Sequence, residues 1–158
     1  MVVYRIAHQR FINNLDGIGA MRYGGRWNPQ GVACLYCSEH LSLAFLEKLV
    51  HVHGADALVN LYSIALNIPD HAALYTIDVQ KMISGWQQQT AYTSWLGKQL
   101  LSDAGYMGFR VPSVVVPQEW NVVLNPAHPL ISKIVANEAM PFVVDTRLSA
   151  RLTDDSAL

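Results

Sequence analysis

Charge is what this chain has least of. Asp, Glu, Lys and Arg make up 15% of its 158 residues, against roughly 25% in an average soluble domain. The charges nearly cancel, leaving −1 at pH 7, so the balance points to neither direct nucleic-acid binding nor an anionic membrane surface. Long hydrophobic runs are missing too. No segment approaches the roughly 18 apolar residues of a membrane span, and the opening MVVYRIAHQRF lacks the extended apolar core of a signal peptide. A soluble, cytoplasmic protein is expected. Neither G-x-G-x-x-G nor a Walker sequence occurs, which removes the support for the ordinary nucleotide folds. Cysteine is scarce: Cys34 and Cys37 form one C-x-x-C, with no second pair to complete a zinc site. They lie in VACLYC, an apolar run that reads as a strand, where an odd separation sends the side chains to opposite faces. Two packed thiols are expected. His51 and His53 are two apart on a helical stretch and do not face each other, so no metal is assigned.

What the chain has in excess is apolar surface: 51% of its residues are hydrophobic. So little charge over so large an apolar share favours a partner that covers part of the surface. The length suits one domain, residues 1–148, followed by a polar tail, 149–158. Strands are expected over Val2–Ala7, Val32–Cys37, Leu58–Ile68, Leu74–Val79, Met107–Val116, Trp120–Leu124 and Pro141–Val144. A helix is expected from Glu39 to Val52, capped by Ser38 and stopped by Gly54, and another from Trp95 to Ser102. Several strands are separated only by turns, so the pattern is α+β with mostly antiparallel strands and a few helices.

The stretch YGGRWNPQG, Tyr23 to Gly31, holds the densest chemistry. Asn-Pro-Gln-Gly fits a type I turn with Pro29 second and Gly31 fourth. That leaves Gly24, Gly25, Arg26 and Trp27 unexplained. Glycine lets a ligand approach the backbone or lets a strand bulge, so Gly25 and Arg26 read as an anion-gripping corner or as part of a structural arginine–carboxylate pair. Arg5, an arginine among Val2, Val3, Ile6 and Ala7, raises the same pair of readings. Glu47 lies on the largely apolar helix SEHLSLAFLEKLVHV, so its carboxylate is at least half enclosed. It either pairs with His51 at i, i+4 on a solvated strip or serves a site. Ser113 lacks the strand–turn–helix elbow of a nucleophilic serine. Asn121, Asn125 and His128 read as turn chemistry at least as much as a site.

The ordered set "YRIA", "GIGAMRYGGRWNPQG", "LYCSEHLSLAFLE", "VPSVVVPQEWNVVLNPAHP" and "FVVDTRL" resembles the RES domain, a family named for its arginine, glutamate and serine. The similarity runs from about Val3 to Leu148. It implies an ADP-ribosyltransferase-like fold and a toxin of a type II toxin–antitoxin pair, with an Xre-like helix-turn-helix antitoxin as partner in a hetero-oligomer. It also implies that NAD⁺ is the substrate, degraded by a glycohydrolase or phosphorylase or used to modify a protein, with no separate cofactor. Matched motif by motif, the family's functional residues fall on Arg5, Arg26, Tyr36, Glu47 and Ser113. Breaking the nicotinamide–ribose bond passes through an oxocarbenium-like state, which Glu47 would stabilise. Tyr36 would stack on the nicotinamide or ribose, Arg26 with Arg5 would bind the pyrophosphate, and Ser113 would position the nicotinamide end. The alternatives are mono-ADP-ribosylation of a protein and a non-catalytic module that holds a peptide. An RNA-cleaving toxin would need a basic face that the net charge disfavours.

Overall fold

The protein is described here by a computed structural model covering residues 1–52 and 55–151. His53, the expected stop at Gly54 and the tail beyond residue 151 lie outside those residues. Strand β1 (Val2–His8) pairs antiparallel along its length with β3 (Leu61–Asn67), Val2 opposite Asn67 and His8 opposite Leu61. Its other edge meets β2 (Leu35–Ser38) at Tyr4, opposite Ser38. The short strands β7 (Val135–Ala136) and β8 (Met140–Pro141) also pair with β3. On the far side β2 pairs with β6 (Trp120–Leu124), β6 with β5 (Gly108–Pro112), and β5 with β4 (Leu74–Thr76). Only β4 and β5 run parallel among the described pairs. A parallel pair needs a long crossover, which here contains helix α3 (Thr90–Ser102). The result is the expected α+β fold with a mostly antiparallel sheet.

Both faces of the sheet are covered. One carries Val3, Leu35, Cys37, Ile64, Leu66, Val122 and Leu124, packed with Ile12, Ile68 and Met107. On the other, Cys34, Phe109, Val111 and Val123 pack with Trp27, Trp86 and Leu101. Cys34 and Cys37 therefore sit in different cores as free, buried thiols, as their odd spacing requires.

The helices depart from the sequence expectation in instructive ways. Helix α1 (Ile18–Tyr23) has only six residues, set between Gly17 at φ 68° and Gly24 at φ 70°; a single short turn between glycines carries no apolar periodicity to read. Helix α2 (Leu41–Leu49) starts later than expected, with His40 at its N-cap. Ser38 does not cap it, because that residue belongs to β2 and its hydroxyl donates to Asn121 Oδ1 at 2.6 Å. Helix α3 begins at Thr90, earlier than Trp95, and α4 (Thr146–Arg151) follows the last strand. Of the expected Pro141–Val144 strand only Pro141 is in β8, and residues 142–144 form no strand.

The turn after Trp27 is also shifted by one residue. Val32 N donates to Pro29 O at 3.2 Å, and Gly31, at φ 88°, takes the third position, where a type II turn needs positive φ. Asn28 stands outside that turn because its side-chain amide is used elsewhere, donating to Ala20 O and Val32 O, both at 2.8 Å.

Helix α3 reaches the second core through a glycine. A Cβ on Gly97 would overlap the carbonyl oxygen of Trp27, so α3 and the tight hairpin formed by Gly25 to Asn28 touch backbone to backbone. Gly→Ala inside a helix ordinarily gains about 1 kcal/mol. Here Gly97→Ala should instead lose about 1–3 kcal/mol through overpacking, read as a lower urea midpoint. Unchanged or higher stability would mean that α3 does not rest on the hairpin.

Candidate active site

The paired glycines that precede Arg26 close a tight hairpin. Gly25 N donates to Asn28 O at 2.8 Å, and Arg26 and Trp27 form the tip. A Cβ on Gly25 would lie 2.6 Å from the Tyr36 hydroxyl and 3.0 Å from Asn28 Oδ1, so any side chain there would displace the hydroxyl. That hydroxyl accepts from Trp27 N at 3.0 Å and donates to Asn28 Oδ1 at 2.7 Å. Trp27 is anchored between Trp86 and Phe109, with ring centroids 5.8 and 5.7 Å away. The Arg26 side chain reaches the residue next to Trp86, its Nη1 donating to Gln87 O at 2.6 Å. Burial, followed by the neighbouring Cys34, pushes the Tyr36 phenol well above its ordinary pKa. Its hydroxyl is held by two hydrogen bonds while the residue as a whole is still 36% exposed, so Tyr36 offers aromatic surface to solvent from a hydroxyl that stays neutral.

Glu47 projects from α2 toward the sheet and not toward His51. Its Oε1 accepts from Ser113 Oγ at 2.7 Å and from Asn121 Nδ2 at 2.5 Å. Ser113, 2% exposed, accepts on its Oγ from Val115 N and Val116 N, both at 2.9 Å. Its one proton is therefore directed to the carboxylate. Glu47 Oε2 takes no hydrogen bond among the described residues. Register explains the assembly. Ser38 stands opposite Asn121 across β2 and β6, and Val111 stands opposite Asn121 across β5 and β6. Tyr36 and Ser38 are two apart on β2, so both project from that same face, about 7 Å apart along the strand.

Arg5 is not part of this group. It stands opposite Ile64, on the face that holds Val3 and Cys37. Its Nη1 donates to Phe11 O at 2.9 Å and Ile12 O at 2.7 Å. Burial lowers its pKa, opposed by Cys37 and Asp16. The structure thus joins Arg26 to Tyr36 through one hairpin and Glu47 to Ser113 through one hydrogen bond, and leaves Arg5 tying the Phe11–Ile12 segment to β1. Sequence reasoning had no signal for Gln87, which contributes a backbone carbonyl; it read Asn28 as a turn residue and left Asn121 as turn chemistry at least as much as a site. A concavity of about 470 Å³ between the start of β3 and the Pro141–Val144 segment is lined by none of these side chains.

The chain matches the RES domain over residues 2–145. It belongs to the RES domain family. It is 33% identical over 152 residues to a protein of Yersinia enterocolitica named "Toxin Res", an alignment covering 94% of this chain and 99% of the relative. It is also 33% identical over 140 residues to a "Prs ADP-ribosylating toxin" of Sphingobium, covering 86% of this chain and 87% of that one. Among solved structures, it is similar to a chain in the M. tuberculosis MbcT–MbcA toxin–antitoxin complex, with a TM-score of 0.72 at 16% identity over 96% of this chain and 87% of that chain. At that identity the likeness concerns the fold.

Beneath the site of this RES protein, the two thiols have ordinary values near 9, and each is pushed up to about 12 by burial above all. An acid whose pKa is raised on folding contributes stability below its unfolded pKa and loses that contribution as pH rises through the folded value. The urea midpoint should therefore decline between pH 9 and pH 12. At pH 8 iodoacetamide should modify Cys34 and Cys37 only after unfolding. Rapid alkylation of the native protein would contradict the burial of both thiols.

Proposed function

We propose that this RES protein is the toxin of a type II toxin–antitoxin pair and cleaves NAD⁺ at the nicotinamide–ribose bond. The observation that carries the reading is Glu47, held through one carboxylate oxygen by Ser113 and Asn121, on the sheet face from which Tyr36 presents an open ring. The names of the relatives support it, because ADP-ribosyl transfer begins by breaking the same bond. As the C–N bond breaks, its electron pair leaves with nicotinamide and positive charge develops on the ribose. The Glu47 carboxylate interacts more strongly with that charge than with the ground state, which lowers the barrier. Tyr36 stacks on the nicotinamide or ribose and holds the scissile bond in place. Arg26 exchanges the Gln87 carbonyl for the pyrophosphate, a charge-assisted bond in place of a neutral one. An acceptor oxygen then attacks the ribose carbon and gives up its proton to solvent. Arg5 has no part in this mechanism.

The acceptor separates the two enzyme readings. The Sphingobium relative's name favours a protein acceptor, whereas every residue assigned here serves the donor, which favours water or phosphate. The partner proposed is the Xre-like antitoxin, which would cover apolar side chains such as Val143, Val135, Met140 and Val50, 88%, 65%, 57% and 56% exposed.

Purified protein incubated with NAD⁺, with and without phosphate, should release nicotinamide in at least one buffer. Free ADP-ribose identifies a glycohydrolase and a phosphorylated product a phosphorylase. Intact NAD⁺ in both buffers, with label reaching one protein once cell extract is added, supports the transferase. No turnover in any arm leaves the non-catalytic module. Arg26→Ala should raise KM for NAD⁺ about tenfold or more, through the lost charged hydrogen bond, with a smaller change in kcat. An unchanged KM would remove Arg26 from the site.

A further inference from the structure

Glu47 Oε1 has two donors, and only Ser113 belongs to the residues matched by motif. The other is Asn121 Nδ2, at 2.5 Å. The orientation of this amide follows from its neighbours. A carboxylate only accepts hydrogen bonds, so the amide nitrogen must face Glu47 and Asn121 Oδ1 must face away. That oxygen takes the hydroxyl proton of Ser38 at 2.6 Å, and Ser38 is only 3% exposed. The result is a chain of fixed polarity, Ser38 to Asn121 to Glu47, running across β2 and β6 to α2. Ser38 and Asn121 are directly paired residues, so the link is built into the sheet register.

We propose that Asn121 is a positioning residue for the catalytic carboxylate, oriented by Ser38, so that Glu47 Oε1 is immobilised and Oε2 faces the developing ribose cation. The proposal rests on the NAD⁺-cleaving reading and extends it. Two donors from different segments, one after β5 and one on β6, fix the carboxylate plane, which a single donor leaves free to swing. Electrostatic stabilisation depends on such preorganisation, because a group that must reorient as charge develops gives back part of its benefit. The contribution belongs to the bond-breaking step, so it appears in kcat and not in the binding of NAD⁺.

Kinetics of nicotinamide release test this on the intact chain. Asn121→Leu should lower kcat about ten- to a hundredfold, as expected for a lost hydrogen bond to a charged group, with KM for NAD⁺ within about threefold of wild type. Asn121→Asp keeps the shape but turns a second carboxylate toward Glu47, and should lower kcat at least as far. It also serves where the leucine variant folds poorly, with folding checked by circular dichroism and thermal midpoint. Ser38→Ala should cost about three- to tenfold in kcat alone and nothing further when combined with Asn121→Leu, since the amide it orients is gone. A merely structural pair would lower thermal stability and leave kcat per folded molecule unchanged. If folded Asn121→Leu keeps kcat within about twofold, or if Ser38→Ala costs the same in both backgrounds, the positioning role fails while the NAD⁺-cleaving reading stands. If the wild-type protein leaves NAD⁺ intact, that reading fails and takes this proposal with it.

Discussion

A carboxylate on an apolar helix packed against a sheet must be answered by donors, because a half-buried charge without partners costs several kcal/mol. Glu47 is that carboxylate, and its donors come from Ser113 and Asn121. The two meet only because β5 and β6 hold one register, with Val111 opposite Asn121 and Gly108 opposite Leu124. A slip of one residue would turn Asn121 into the opposite core. Gly108 protects the register: a Cβ there would overlap the carbonyl oxygen of Val123, so only glycine permits the close approach at that point. The position of α2, the orientation of Ser113 and the course of the Val115–Val116 backbone all follow from placing this one oxygen.

The hairpin around Arg26 solves a related problem with a neutral group. The Tyr36 hydroxyl replaces water for Trp27 N and Asn28 Oδ1, and Gly25 leaves room for it. Asn28, 1% exposed, uses its amide on Ala20 and Val32, which ties α1 to the segment leading into β2. An ionised phenolate could not donate to Asn28, consistent with the upward push that burial gives this group. Arg26, Tyr36 and the short helix are therefore tied into one unit, and the long side chain at its tip is the cation.

How much of this was legible in the sequence depends on whether a residue's role is local. Trp120–Leu124 was read with the bounds it has, and the opposite-facing cysteines followed from strand parity. Glu47 was placed as half-enclosed from its apolar helix, but parity and periodicity could not say what it would meet, since Ser113 lies 66 residues away and Asn121 lies 74 away. Ser38 looked like a helix cap because caps are local, and it was lost to a strand partner 83 residues distant. Asn28 looked like a turn residue for the same reason. Arg5 was correctly judged unusual for a strand, yet its partners are the carbonyls of Phe11 and Ile12, and no side-chain pattern announces a backbone acceptor.

The central claim is that Glu47 acts on the transition state and not on binding. Glu47→Gln preserves size, and its side-chain carbonyl can still accept from Ser113 and Asn121, so fold and NAD⁺ affinity should persist. Single-turnover release of nicotinamide, measured beside NAD⁺ binding to the same variant, separates the two. The account predicts a fall of about 10²–10³ in the rate of bond cleavage, with the dissociation constant within about threefold of wild type. A folded Glu47→Gln protein that releases nicotinamide at close to the wild-type rate would contradict it.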